Sequence, residues 1–219
     1  MLQILKGEFY LSNYDLIRTY SPDQNLVLEK REHIVRCAYE IFIKNGYHGT
    51  NLRAIMDACG MGAGTLYHYI GSKEDILYLV MVSSVERVQK RLDELNKRCK
   101  GLNVKESLSE TIKELIKIND DEQDSVIMNI REIKNISRRA RQALLDGVMN
   151  NTLFLESILK NGVKSGEFEI EDTFFVAHRV HELVEAWALQ RWYLRTRYSM
   201  DQYTELVIHD TYLAIKAIS

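Results

Sequence analysis

The sequence predicts an all-α fold, with a three-helix head followed by a larger helical body. Proline interrupts helices, and the only proline among the 219 residues is Pro22, so nothing after it forbids a helix. From Glu29 onward apolar residues recur at the helical spacing of three and four, and no stretch alternates as a strand would. With 46% hydrophobic residues, the chain can bury the core of one large domain or two small ones.

The composition of the chain limits the cellular compartment and the kinds of binding partner that we expect. The net charge of -2 gives no support to a nucleic-acid partner, so any contact with phosphates has to be local. Three cysteines without CxxC spacing indicate reduced thiols in a cytoplasm rather than a disulfide framework or a zinc site. No apolar run approaches the roughly 20 residues that span a bilayer, and the N-terminus lacks the plan of a signal peptide. We expect a cytoplasmic protein with no membrane partner and no cofactor.

Residues 1–28 form an N-terminal extension. Ser12 could cap a short helix that runs through Tyr20 and stops before Pro22. The segment is too apolar for a plain disordered tail, and we interpret it as a weakly packed arm.

The head, residues 29–75, contains three predicted helices. The first runs from Glu29 to Gly46, where glycine ends it. Asn51 is a good N-cap for the second helix, 52–59. A glycine-rich turn then leads to a short third helix, 63–70. The expected core of the head is Ile55, Ala58, Leu66 and Tyr69.

The body, residues 76–219, begins within a long helix that Ser72 caps and that runs to about Lys100. The segment 172–196 is apolar over most of its circumference, so it has to be covered on more than one side. Ser199 caps the last helix. The helices predicted for the body after Lys100 are 104–118, 123–133, 137–164, 172–196 and 199–218.

The stretch GMGAGTLYHYIGSKEDIL, from Gly60 to Leu77, raises the question of a phosphate-binding loop. A dinucleotide fingerprint would need a third glycine at position 65, which is Thr65. A Walker loop would need Gly-Lys-Ser/Thr, which is absent. The preceding residues read as a helix and not as a strand, so the spacing and the context both exclude this class of site.

A helix-turn-helix fits the same stretch. Two short helices joined by a tight glycine turn, the second rich in groups that reach phosphates and base edges, form the plan for reading a major groove. Thr65, Tyr67 and His68 offer phosphate and thymine-methyl contacts. Lys73, with the helix start at Ser72, offers a further phosphate site.

Residues 31–78 resemble the DNA-binding domain of the tetracycline-repressor (TetR) family. The resemblance is carried by IVRCAYEIFIKNGYHGTNLRAIMDACGMGAGTLYHYIGSKEDIL as one ordered block. It implies that Asn51 caps the second helix and touches phosphate and that Arg53 approaches bases or phosphate. Gly62 and Ala63 depart from the polar residues that the family often carries there, which weakens direct base readout. The DNA-contacting residues that the resemblance implies are Asn51, Arg53, Ala63, Gly64, Thr65, Tyr67, His68 and Lys73.

In the family the body binds a small ligand and dimerises through its last two long helices. The segments EAWALQRWYLRTRYSMDQY and NGVKSGEFEIED are also similar to branches that answer to acyl-CoA thioesters. Such a ligand needs an apolar tunnel and cations for its phosphates. Arg191, Arg195 and the arginine run 138–141 could supply the cations. The candidate ligand-binding residues are Met149, Phe154, Leu183, Trp187 and Arg191.

Other interpretations stay open from the sequence. The aromatic residues of 172–196 could be core and dimer packing, and the arginine run a solvated helix start. The effector could be an apolar or aromatic drug-like molecule. His178, His181, Glu182 and Glu185 share a helix face and could bind a divalent metal or serve a helical enzyme. A helical adaptor that does not bind DNA is a further possibility.

The function predicted from these observations is a ligand-responsive transcription regulator and not an enzyme. We expect a homodimeric repressor that binds a palindromic double-stranded DNA operator and is released by a small amphipathic or apolar effector, with acyl-CoA favoured. No metal is part of this prediction.

Overall fold

The computed structural model describes residues 16–215 of the chain, and this part is helical without a β-strand, which confirms the all-α prediction. A 3-10 turn, Ile133–Asn135, separates the sixth and seventh helices. Most of the short helix predicted from Ser12 lies outside the described residues, and residues 16–20 are turn and coil. The helices are α1 Gln24–Gly49, α2 Leu52–Cys59, α3 Ala63–Tyr69, α4 Lys73–Arg98, α5 Val104–Asp121, α6 Gln123–Glu132, α7 Arg138–Ser165, α8 Thr173–Leu189, α9 Arg191–Leu194 and α10 Met200–Ala214.

The described residues fall into two compact units. Unit 1 takes the chain up to Glu86 together with Met128–Gly147, and unit 2 takes Arg87–Ile127 and the chain from Val148. Helices α4, α6 and α7 each contribute residues to both units. The division predicted from the sequence, 1–28, 29–75 and 76–219, stays a prediction.

Helix α1 begins at Gln24, earlier than predicted, because Asp23 caps it. The Asp23 carboxylate accepts hydrogen bonds from the amides of Asn25 (3.0 Å) and Leu26 (3.1 Å). The predicted stop at Gly46 is confirmed, since Gly46 has φ 73°, and one further turn continues to Gly49.

The residues before α1 are packed, so the interpretation of a weakly packed arm is wrong for the described part. Ile17 and Ser21 are buried, and so is Arg31 of α1, which is 2% exposed. The Arg31 guanidinium donates to the carbonyls of Tyr69 (Nε, 3.1 Å) and Ile17 (Nη2, 2.9 Å). This buried cation ties the segment before α1 to the end of α3.

The core of unit 2 forms where α5, α8 and α10 pack together with the neighbouring part of α7. The Trp187 indole stacks on Tyr203, with ring centroids 5.0 Å apart, and its Nε1 donates to Asp120 Oδ1 at 2.8 Å. Phe168 covers Gly162 of α7 so closely that a Cβ there would lie 2.0 Å from the ring.

Ion pairs join the second half of α4 to α5 and the residues after it within unit 2. Arg87 makes a bidentate pair with Glu122, at 2.7 Å and 2.6 Å. Arg91 donates to Glu114 (2.8 Å) and to Asp121 (2.7 Å). Burial alone would raise the pKa of Glu122, but the hydrogen bonds and charge of Arg87 lower it below its usual 4.5.

The helix predicted over 172–196 is interrupted. Helix α8 ends at Leu189, and Gln190 (φ -111°, ψ 19°) precedes the single turn of α9. Side-chain contacts accompany the break, since Arg191 donates to Gln123 and Arg195 donates to Asp120. No helix in the part of the chain that the structure describes is long and apolar enough to cross a membrane.

Candidate nucleic-acid interface

Helices α2 and α3 form a helix-turn-helix whose turn is set by glycine. Gly60 is left-handed (φ 63°), and the amide of Met61 bonds back to the carbonyl of Met56 at 3.0 Å. Ile55 and Leu66 are fully buried, which fixes the two helices against α1. Ala58, which we expected in this core, is exposed, because it lies on the outer face of α2.

The outer face of α3 carries the predicted DNA-contacting residues. Ala63, Gly64, Thr65, Tyr67 and His68 are all exposed, whereas the opposite face packs inward through Leu66 and Tyr69. The Tyr67 ring is 46% exposed although it is a large apolar surface. Such an exposed strip of small and aromatic groups is compatible with close approach to a groove.

Asn51 and Arg53 stand at the start of α2 and are also exposed. The Asn51 side chain accepts a hydrogen bond from the amide of Ala54 at 2.9 Å, so the predicted N-cap is confirmed. The side-chain amide nitrogen of Asn51 can still donate a hydrogen bond to a phosphate oxygen. A DNA contact by either residue stays a prediction.

Lys73 has a structural role that the sequence did not reveal. Its ammonium group donates to the carbonyls of Tyr47 (2.9 Å) and Thr50 (2.8 Å), and it lies 4.1 Å from the centroid of the Tyr47 ring. Lys73 therefore anchors the end of α1 on the start of α4. A phosphate would have to contact the same partly buried ammonium group that already binds these two carbonyls.

The segment before α1 lies beside α3, which sequence reasoning missed. The carbonyl of His68 accepts from the Tyr20 amide (3.1 Å) and the Thr19 hydroxyl (3.3 Å). The Arg18 guanidinium lies 4.9 Å from the centroid of the exposed Tyr20 ring. The only sequence signal was the aromatic content of residues that we set aside as an extension.

Of the five predicted ligand-binding residues, Phe154, Leu183 and Trp187 belong to or pack against the core of unit 2, and a ligand contact by any of the five stays a prediction. Trp187 is a core residue, bonded to Asp120. Leu183 is half-buried at the edge of the same core, whereas Met149 is exposed. Arg191 donates to Gln123, so its guanidinium already has a partner. Of the five, Phe154 alone lines the cavity that the next paragraph describes.

This cavity has a volume of about 210 Å³ and lies between the end of α4, the start of α5 and the middle of α7. Its wall mixes apolar and polar groups, with Lys100 as its one cation. Ser107 and Thr111, polar residues on a helix with an apolar face, were the signal that could have located it. Its lining residues are Leu95, Asn96, Cys99, Lys100, Leu102, Val104, Ser107, Thr111, Phe154, Ile158 and Asn161.

The candidate metal face of α8 resolves into two separate pairs. His178 lies 3.8 Å from Glu182, and His181 lies 3.6 Å from Glu185. His178 and Glu182 are exposed, whereas His181 is buried. Of the residues that the structure describes, these four do not form a group in which three ligand atoms converge.

Residues 34–78 match the family model described as bacterial regulatory proteins, tetR family. The HTH-type transcriptional regulator HbdR of Aromatoleum sp. (strain CIB) is 23% identical over 210 residues, covering 94% of this chain and 90% of HbdR. The crystal structure of FadR from Bacillus subtilis with stearoyl-CoA has a TM-score of 0.68 at 21% identity, covering 86% of this chain and 99% of FadR.

AibR, in complex with isovaleryl coenzyme A and operator DNA, has a TM-score of 0.66 at 19% identity, covering 86% of this chain and 99% of AibR. At these identities the two structures show a shared fold. The fold, the family model on α1 to α4 and the full-length similarity to a transcriptional regulator agree. The resemblance inferred from residues 31–78 is thereby confirmed, and the DNA-binding head of this chain is that of the tetR family of bacterial regulatory proteins.

Proposed function

We propose that the chain is a ligand-responsive repressor of transcription that binds a palindromic operator as a homodimer. The observation that carries this proposal is the helix-turn-helix of α2 and α3, with a buried inner face and an outer face of small and aromatic residues. A repressor of this kind acts in the cytoplasm, where the bacterial DNA lies, and needs no catalytic activity.

DNA binding would rest on phosphate contacts, with limited base readout. Ala63 and Gly64 let the backbone of α3 approach a groove, and Thr65, Tyr67 and His68 offer hydroxyl and imidazole groups to the DNA backbone. The two heads of a dimer would need to be about 34–36 Å apart to reach successive major grooves.

The test of the DNA interface is Tyr67→Phe, which removes only the exposed hydroxyl. We expect weaker binding to the upstream intergenic DNA in a mobility shift, with the salt dependence of the wild type, because the lost hydroxyl is neutral and neutralises no phosphate. Tyr198→Phe, an exposed tyrosine in unit 2, is the matched control. Unchanged affinity for Tyr67→Phe would contradict the assignment of the hydroxyl.

The effector that the geometry and the relatives support best is an acyl-CoA thioester with a short acyl group. FadR binds stearoyl-CoA and AibR binds isovaleryl coenzyme A. The cavity of about 210 Å³ is smaller than the roughly 300–1,000 Å³ of most ligand sites. A short acyl group would fill it, and Lys100 at its wall would attract the anionic part of the ligand.

For release, the effector has to prefer the form of the protein that does not bind DNA. A near-complete switch needs a preference of about 10⁴-fold. Helix α4 lines the cavity through Leu95 and Asn96 and begins directly after the helix-turn-helix, so it is the element through which we propose that the cavity influences the head.

Titration of acyl-CoAs of increasing chain length against the protein–operator complex tests the effector. We expect release by short chains, and Ser107→Leu, which fills the cavity, should abolish it without changing operator affinity. Lys100→Gln should weaken the response by about tenfold or more, since a lost charged hydrogen bond costs about 1.5–3 kcal/mol. Lys97→Gln, at an exposed lysine near the end of α4 that does not line the cavity, is the control.

A plain apolar or drug-like effector is the competing proposal. It predicts that Ser107→Leu abolishes the response but that Lys100→Gln does not. If no acyl-CoA releases the DNA at high micromolar concentration and none raises the melting temperature, the acyl-CoA proposal is wrong and the DNA-binding proposal is unaffected.

A further inference from the structure

Three side chains that can ligate a metal meet in unit 1, behind the helix-turn-helix. His33 and Cys37 lie one turn apart on α1, and Cys59 is the last residue of α2. Their ligand atoms, one ring nitrogen of His33 and the two Sγ atoms, all lie within 4.8 Å of one another. Within residues 16–215, no other group of three or more His, Cys, Asp or Glu side chains converges in this way.

The separations are close to those of a tetrahedral metal site. With Zn–S bonds of about 2.3 Å and Zn–N bonds of about 2.0–2.1 Å, two sulfurs stand about 3.8 Å apart, and a sulfur and a nitrogen about 3.6 Å apart. Here Cys37 Sγ lies 4.0 Å from His33 Nε2. Small side-chain rotations would therefore complete the coordination without moving a helix.

The surroundings leave one side of the cluster open. Cys59 is buried, whereas His33 and Cys37 are half-buried, so a metal ion could enter from the α1 side and keep a water as its fourth ligand. His33 Nε2 contacts the carbonyl of Cys59 at 3.0 Å. Metal binding would replace this contact, with the neutral imidazole ligating through Nε2.

We propose that His33, Cys37 and Cys59 form a binding site for a thiophilic metal ion of the zinc class. On binding, each thiol loses its proton to solvent. One divalent ion therefore replaces two protons, and no oxidation or reduction takes place. A site of two thiolates and an imidazole binds Zn²⁺ in preference to Mg²⁺ or Ca²⁺. Cysteine spacing could not reveal the site, because its ligands come from two helices.

The place of Cys59 gives the site a consequence for the head. Cys59 directly precedes Gly60, the left-handed residue that turns the chain toward α3. A metal held by Cys59 and by α1 would link α1 to the end of α2 at this turn. Because the folded head would bind the ion and the unfolded chain would bind it less well, the metal should raise the melting temperature.

The experiment uses the full-length, reduced and metal-free protein. Titration with Co²⁺ alone should give one equivalent per chain, with the thiolate-to-cobalt charge-transfer absorption that histidine and carboxylate sites lack. Zn²⁺ should then displace the Co²⁺ and bleach the absorption. Absence of the absorption in the wild-type protein would overturn the proposal.

The variants locate the site. Cys37→Ser and His33→Gln, at half-buried positions, should weaken Co²⁺ binding by at least about 10–100-fold. Cys59→Ala is a second thiol variant, and circular dichroism checks that each variant is folded. Cys99→Ser, at the third cysteine and outside the cluster, should bind as the wild type does. Loss of the absorption in Cys99→Ser, or its survival in Cys37→Ser, would assign the metal elsewhere.

Discussion

Arg31 is the residue on which the head depends in a way that its charge alone does not suggest. It is buried, and its planar guanidinium reaches backbone carbonyls at positions 17 and 69 at once. A fully buried cation is costly unless its donors are satisfied, and here backbone carbonyls satisfy them. The sequence could not show this, because nothing in a helical pattern distinguishes Arg31 from the exposed Arg36 on the same helix.

Replacement of Arg31 by methionine should destabilise the head by about 1.5–3 kcal/mol, because carbonyls that accept charged hydrogen bonds lose them. Urea unfolding followed by circular dichroism measures the change. The matched control Arg36→Met should stay within about 0.5 kcal/mol of the wild type, as surface substitutions do. Equal stabilities of the two variants would show that the buried contacts contribute nothing.

A substitution at Gly64 can distinguish an effect on the stability of the head from an effect on DNA binding. A Cβ at this position would meet nothing within 4 Å, and alanine favours a helix over glycine by about 0.5–1 kcal/mol. Gly64→Ala should therefore keep or raise the stability of the head. If the backbone of α3 approaches DNA here, the same methyl group should reduce operator affinity by about tenfold, or about 1.4 kcal/mol.

A mobility shift and a thermal melt on the same Gly64→Ala sample decide the matter. Gly49→Ala, which meets only Asn45 Cβ at 4.0 Å and lies outside α2 and α3, should change neither measurement much. Unchanged operator affinity for Gly64→Ala would remove Gly64 from the interface.

At the scale of elements, several helix starts were predictable from their caps, whereas the early start of α1 at Gln24 and the helix interruption were not. The caps by Asn51 and Ser199 follow from local chemistry, since each side chain accepts from an amide three residues on. Ser72 caps α4 in the same way. The break at Gln190 carries no glycine or proline signal, and it coincides with contacts of Arg191 and Arg195 to distant residues.

The candidate site likewise has parts that could be predicted from local sequence and parts that could not. The residues of α3 could be predicted because a short, ordered motif carries them, and their exposure depends on local periodicity. The cavity could not, because its wall combines Lys100 from the turn after α4 and Ser107 of α5 with Ile158 of α7, which lies far along the chain from the other two. Trp187 was expected at the ligand and lies in the core, since a stripe of aromatic residues looks alike in both roles.

The ion pairs of α4 and α5 make the stability of unit 2 depend on pH. The pKa values of Glu114 and Glu122 lie below the usual 4.5; burial opposes this shift, and the paired arginines cause it. Each depressed pKa contributes stability that is present above the unfolded pKa and is lost as pH falls toward the folded pKa. The melting temperature should therefore fall as pH decreases below about 5.

Glu122→Gln tests this contribution. The variant should melt at a lower temperature near neutral pH, because Arg87 loses its carboxylate partner, and its melting temperature should fall less between about pH 6 and pH 4. Glu94→Gln, exposed on α4, should keep the wild-type dependence on pH. Parallel curves for Glu122→Gln and the wild type would contradict the assigned shift.

At the scale of the whole molecule, α8 and α10 carry apolar side chains that unit 2 leaves exposed. Phe175 is 61% exposed and Leu213 is 68% exposed, and Phe174 and Leu206 are exposed as well. Monomeric proteins rarely leave so many large apolar groups on neighbouring helices. We propose this face as the homodimer seam, whereas Trp187, one of the aromatic residues of 172–196 that could have been dimer packing, lies in the core.

Phe175→Arg should convert the dimer to a monomer at micromolar concentration, because a buried unpaired charge opposes association. Light scattering measures the mass, and operator affinity should fall with the loss of the second head. Ile130→Arg, at an exposed apolar residue of α6, is the control and should remain dimeric. A wild-type monomer, or a dimer that survives Phe175→Arg, would place the seam elsewhere.

The contacts of Arg31 also determine where a shortened DNA-binding fragment can begin. The tetR family model starts at residue 34, and a fragment cut there would lack Arg31 and the capping Asp23. A fragment cut at Gln24 would keep the guanidinium but leave it without the carbonyl of Ile17. Expression of the head for spectroscopy or for operator selection should therefore start before Ile17, upstream of the boundary that family similarity suggests.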